Sequence, residues 1–197
     1  MTNPTGDTVM MCANLDDHDP LSKAVLGWIT PSFDYASPQT IRLSSYTKTG
    51  CALIVSPDEE QSYFKDSYIV MLYEPTGVNE KFSDKDMGLF SKPGIVIYRV
   101  RAELANRILS PLYCYKYNNA NAFGTMENAL IRLIQNNGRD TLGNDMWARA
   151  NDEDLFLEGD SYTFTWPDDF GAPSMSVTVD GIEQDGDGSW YANITLK

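Results

Sequence analysis

Chemistry in this chain has to start from a single imidazole. His18 is the only histidine among 197 residues, and it sits in the run Asp16-Asp17-His18-Asp19. Three carboxylates around one imidazole are the donor types of a metal cluster. The same residues also make a good helix start, because negative charge suits the positive end of the helix dipole. A catalytic zinc site needs three protein ligands, and one histidine cannot supply HExxH, in which two histidines one turn apart flank a glutamate base. The helix-start reading is therefore preferred, with no catalytic residue and no metal ligand assigned in this chain.

The other candidates are weaker. Glu158 with Asp160, and Glu59 with Glu60, are carboxylate pairs of the kind used in acid–base work. Acidic residues are abundant here, so such pairs are expected from composition. Asp185 and Asp187 begin like a calcium loop, but Asp-Gly pairs are equally what a tight hairpin turn requires. Asn151, Asp152 and Asp154 are a second, weak calcium candidate. No Ser/His/Asp or Cys/His arrangement and no glycine-rich phosphate loop stands out. Cys12, Cys51 and Cys114 form no CxxC and read as free thiols, with at most one bridge.

Bulk properties narrow the partners. The formal net charge of −13 argues against nucleic acid and anionic membrane surfaces. No apolar run approaches the roughly 20 residues of a membrane span. The opening MTNPTGDTV is polar and does not read as a signal peptide.

The elements that must position His18 follow at once. Asp19 is a suitable N-cap and Pro20 fits the first helical position. Leu21, Ala24, Val25 and Trp28 then share one helix face, and Pro31 is expected to end the element. Burying Leu21, Val25 and Trp28 is worth roughly 1.5–3 kcal/mol each, before entropy is subtracted.

Beyond Pro31 the period changes to two. Gln39–Tyr46 and Cys51–Ser56 read as strands joined by a turn at Lys48-Thr49-Gly50. Ser67–Glu74 and Gly94–Val100 are apolar on both faces, as central covered strands are. Val78–Lys92 reads as a polar loop. Arg101–Leu109 has helical composition but is stopped by Ser110-Pro111, and its state stays open. Tyr113–Phe123 reads as irregular. Ala129–Gln135 reads as a strand that ends at Asn137-Gly138. Tyr162, Phe164 and Trp166 alternate, as do Met175, Val177 and Val179. After the Asp185–Gly188 turn, Trp190, Ala192, Ile194 and Leu196 return as the second arm of a hairpin.

Three ordered segments carry a resemblance. Met10-Met11, then Asp17-His18-Asp19-Pro20, Ser22-Lys23 and Leu26-Gly27-Trp28, resembles the Met-turn and following helix of immune inhibitor A-like zinc metallopeptidases, a metzincin-related family. Tyr73–Asn79 followed by Lys92–Val100 is similar to the paired segments after that helix, with Arg99 where the family usually has histidine. Asn151–Ser161 resembles a segment near the family's C-terminal β region. The resemblance implies that Met10 or Met11 lies in the apolar floor beneath a zinc ion without binding it.

The expected protein is mainly β with few helices: an antiparallel β-sandwich-like region preceded by the Met-turn and one amphipathic helix. Residues 1–31 would be the tail of a metallopeptidase catalytic domain and 32–197 the β-rich C-terminal region. By resemblance the whole enzyme would be a secreted bacterial zinc endopeptidase acting on proteins or peptides. Its missing N-terminal catalytic segment would be this chain's partner. The alternative is a self-contained β-sandwich module that binds carbohydrate or a surface partner.

Overall fold

The computed structural model describes residues 4–6, 8, 17–34, 38–57, 59–82, 90–106, 113–119, 126–143, 145, 147–166, 171 and 174–197. Within them the chain is mainly β. A five-stranded sheet has the order β1 (Ser32–Asp34), β3 (Leu53–Val55), β4 (Asp66–Tyr73), β5 (Gly94–Arg101), β8 (Ile131–Ile134). A four-stranded sheet has the order β2 (Gln39–Ser44), β11 (Trp190–Leu196), β10 (Met175–Gln184), β9 (Ser161–Phe164). A separate ribbon pairs β6 (Leu104–Asn106) with β7 (Tyr113–Tyr115). All pairs are antiparallel except β1 with β3. Among the described residues, no helix is long and apolar enough to cross a membrane.

Period-two alternation assigns the faces of the larger sheet. One face of β4 and β5 presents Tyr68, Val70, Leu72, Ile95 and Ile97 to Leu43, Phe164, Val177, Val179, Ala192, Ile194 and Leu196 of the smaller sheet. That is the core of the β-sandwich-like arrangement anticipated from the sequence. The opposite face presents Ile69, Met71, Tyr73, Val96, Tyr98 and Val100, and it is covered by Leu21, Phe90, Met126, Leu142, Ala150 and Leu155. Over Tyr68–Tyr73 and Gly94–Tyr98 both strands are thus enclosed on two sides, which is why these stretches show no polar face.

Residues on both sides of residue 31 contribute to this second cluster. Leu21 packs into it. The Leu133 N–H donates to the Pro4 carbonyl at 2.8 Å, and the Ala150 N–H donates to the Gly6 carbonyl at 2.9 Å.

Local expectations change at Lys48–Gly50 and at Tyr113–Tyr115. Lys48-Thr49-Gly50 does not close a hairpin. Tyr46–Thr49 forms a short helical turn, α2, capped by Gly50 at φ 71°, a conformation that favours glycine. The chain crosses there from the smaller sheet to the larger one, because β2 pairs with β11 while β3 pairs with β4. Tyr113–Tyr115 is a strand, not irregular chain, since its backbone groups find β6. The same pairing resolves Leu104–Asn106 as strand. The expected hairpin of β10 and β11 is present, with a register shift between Val179 and Gly181.

Candidate functional site

The stretch around His18 is built as a helix start. The helix α1 spans Pro20–Val25. The Asp19 carboxylate accepts from the Ser22 N–H at 2.9 Å and from the Ser22 hydroxyl at 2.6 Å. Pro20 occupies the first turn, where its missing donor costs nothing. Asp17 turns away from His18 to pair with Lys23 at 2.6 Å, and its second carboxylate oxygen accepts from the His18 N–H at 2.9 Å.

Polar links anchor this start to the sheet. The Tyr46 hydroxyl donates to the His18 carbonyl at 2.9 Å. The Asp17 N–H donates to Asn79 Oδ1, Asn79 Nδ2 donates to the Thr47 hydroxyl, and that hydroxyl donates to the Glu74 carbonyl. The Tyr98 hydroxyl donates to the Thr8 hydroxyl at 2.9 Å. Burial, then the nearby Asp17 and Asp19 charges, pushes the Tyr46 phenol far above its ordinary range. The cavity between Thr8, Asp17, His18, Tyr46, Tyr73 and Tyr98 is only about 20 Å³, room for about one water. Among the described residues, no group of three or more His, Cys, Asp or Glu could hold a metal ion. Asp16, the third carboxylate beside His18, lies outside the described residues.

The expected apolar face of α1 is only half used. Leu21 and Ala24 are buried. Val25 is 41% exposed, Leu26 55% and Trp28 60%. The helix ends at Val25, six residues before Pro31, with Leu26 as C-cap and Gly27 at φ 73°. Trp28 consequently leaves the helical register. It meets the His18 ring edge-on, centroids 5.2 Å apart, instead of entering the core with Leu21. The expected packing of Val25 and Trp28 is thus corrected. Met10 and Met11 lie outside the described residues.

Asp185, Asp187, Asn151 and Asp154 serve as local structure. Asp185 and Asp187 shape the β10–β11 turn: the Gly188 N–H donates to the Asp185 carbonyl and the Ser189 N–H to Asp187 Oδ1, both at 2.9 Å. The Ser189 backbone bond holds the Asp187 carboxyl below its ordinary value. Asn151 and Asp154 form a reciprocal capping box, and buried Asp154 also accepts from Gln135 at 2.7 Å.

A second constellation was not recognised from the sequence. The inner face of the larger sheet turns from apolar to charged at one end. Asp66 on β4, Arg99 and Arg101 on β5, and Arg132 on β8 share that face with Tyr68, Ile97 and Ile134. Asp66 is fully buried, and the Arg99 and Arg101 side chains are only 13% and 16% exposed. Asp66 accepts from Arg99 Nη2 at 3.1 Å and lies 3.4 Å from Arg101 Nε. Arg101 also donates to the Glu127 backbone carbonyl and to the Tyr117 hydroxyl, stacking over that ring at 4.0 Å.

Desolvation works against the Arg99 charge, but the Asp66 hydrogen bond and the neighbouring Tyr68 and Tyr162 leave its pKa raised. Arg99, Arg101, Glu127, Thr165 and Trp166 line a cavity of about 280 Å³. Arg132 and Tyr162 line a second one of about 250 Å³. The available signal was two arginines at i and i+2 ending an otherwise apolar strand.

No protein-family model matches the chain, and neither does any curated protein or any solved structure.

Proposed function

We propose that this chain is the C-terminal, non-catalytic portion of a secreted zinc metallopeptidase similar to immune inhibitor A. It would form a wall against which an upstream catalytic segment docks, supporting the active-site floor and the peptide cleft. The observation that carries the reading is the uncovered edge of Val25, Leu26 and Trp28 beside an otherwise well-anchored helix start. Adjacent large apolar side chains left in water support a surface that takes a partner. The ordered resemblance of the Met10–Trp28, Tyr73–Val100 and Asn151–Ser161 segments supports a catalytic segment of that family as the partner. Zinc belongs to the whole enzyme in this reading, and its ligands come from the upstream segment.

The test begins with the coding sequence upstream of Met1. A segment carrying HExxH, joined to or co-expressed with this chain, should give zinc-dependent peptide hydrolysis and shield Trp28 from acrylamide quenching. Tight stoichiometric zinc binding with hydrolysis by this chain alone would refute the proposal. So would a joined segment that leaves Trp28 as exposed as before.

A second reading is a self-contained binding module for carbohydrate. It is favoured by Trp147, which is 78% exposed. Quenching of tryptophan fluorescence across a panel of sugars, abolished by Trp147→Ala, would support it. Silence across the panel would count against it.

A further inference from the structure

The charged end of the sandwich interior holds more positive charge than its own structure uses. Three guanidinium groups, Arg99, Arg101 and Arg132, share the face with one buried carboxylate, Asp66. Placing charges on an inner sheet face is costly, because each loses hydration that only a well-made partner replaces. A merely structural pair would be satisfied by one arginine and one aspartate.

Donors also remain over. Among the described residues, Arg132 Nε and Trp166 Nε1 are buried without a hydrogen-bond acceptor, and Arg101 Nε has the ion-pair contact to Asp66 at 3.4 Å in place of a hydrogen bond. Buried donors of this kind are rare in folded proteins, and each calls for an acceptor. The cavity of about 280 Å³ lies against two of these three side chains. Ligand pockets start at about 300 Å³ for drug-sized molecules, so this one suits something smaller.

The charge balance selects the ligand class. At this pocket Arg99 and Arg101 carry two positive charges against the one negative charge of buried Asp66, while Arg132 lines the other cavity. Glu127 contributes its backbone carbonyl to Arg101, while its side chain is exposed and adds one screened negative charge at the rim. The remaining excess is matched by a single negative charge. Guanidinium forks pair in plane with carboxylates, and Trp166 is the aromatic residue among those lining the cavity.

We propose that the pocket between Arg99, Arg101, Thr165 and Trp166 binds a small organic monocarboxylate, with the arginines holding the carboxylate and the indole bordering its apolar body. This proposal does not depend on the peptidase reading.

Benzoate is a suitable probe, with inorganic phosphate and chloride as comparison anions at equal ionic strength. Titration of the folded full chain, followed by calorimetry and by the thermal midpoint, should show saturable one-to-one benzoate binding. Arg101→Leu leaves Arg99 to neutralise Asp66, so the fold should survive while benzoate affinity falls roughly tenfold or more. Trp166→Phe keeps the ring and removes one donor, and should weaken benzoate about fivefold. Arg42→Leu, at an exposed ion pair with Asp185 on the other sheet, should leave binding unchanged. The proposal is overturned by an absence of saturable benzoate binding to the wild-type chain. Tighter binding of phosphate than of benzoate would overturn the carboxylate assignment. An equal effect of Arg42→Leu would show a general charge effect with no site.

Discussion

Asp66 stands opposite Arg101 in the β4–β5 register, yet its carboxylate takes its hydrogen bonds from Arg99, two residues away along the same strand. The diagonal arrangement is within reach of long side chains on one sheet face. It leaves Asp66 between two guanidiniums at a depth where it has no solvent exposure.

Asp66→Asn should therefore be among the most damaging single changes in the chain. Removing one partner of a buried ion pair strands the other charge, typically at about 3–5 kcal/mol. Two arginines would be stranded together here. Equilibrium urea unfolding measures the loss, and a change below about 1 kcal/mol would show that water reaches the arginines.

Asp19→Ala should cost about 1 kcal/mol, the usual worth of an N-cap. It removes acceptors from both the Ser22 N–H and the Ser22 hydroxyl. Asp19→Asn keeps an acceptor oxygen and should recover much of the loss in the same unfolding assay. Equal destabilisation by both changes would assign the role of Asp19 to its charge.

Leu26→Glu should leave stability within about 0.5 kcal/mol of wild type, as exposed positions usually do. The same change should lower binding of an apolar dye and any self-association measured by sedimentation. Unchanged dye binding would remove Val25, Leu26 and Trp28 as the accessible apolar edge.

Gly94→Ala should destabilise by about 1–3 kcal/mol through overpacking. A β-carbon at Gly94 would lie 2.9 Å from Leu155 Cβ and 3.0 Å from its Cδ1. A neutral result would show that the segment holding Leu155 moves aside.

Alkaline pH should weaken the fold. Burial raises the Tyr46 and Tyr162 phenols above their ordinary value of 10.0. The folded protein thus holds these protons more tightly than the unfolded chain does. Their contribution is complete below pH about 10 and is lost as pH rises above it. Phenolate absorbance should show fewer than all tyrosines ionising before unfolding begins. Tyr46→Phe should flatten part of that alkaline slope while costing about 1 kcal/mol at neutral pH, from the lost bond to the His18 carbonyl.

Much of the frame was legible because its signals are local. Asp19 and Pro20 announce a helix start by chemistry that needs no distant partner. Unbroken apolar runs at Ser67–Glu74 and Gly94–Val100 can only be strands or segments covered on both faces. The Asp185–Gly188 turn between two alternating arms specifies its own hairpin. The mainly β, sandwich-like class follows from these patterns together.

Other features are decided only in three dimensions. Lys48-Thr49-Gly50 signals a change of direction, but whether the next strand returns to its neighbour or crosses to another sheet depends on which edge is free. Here β11, from the far end of the chain, takes the place beside β2. Trp28 has the spacing of a buried residue, yet the helix ends before reaching it. Arg99, Arg101, Asp66 and Arg132 are ordinary charged residues in sequence. Strand register alone gathers them onto one interior face, where Arg99 and Arg101 line a cavity, because a pairing between strands is a long-range choice that no local window contains.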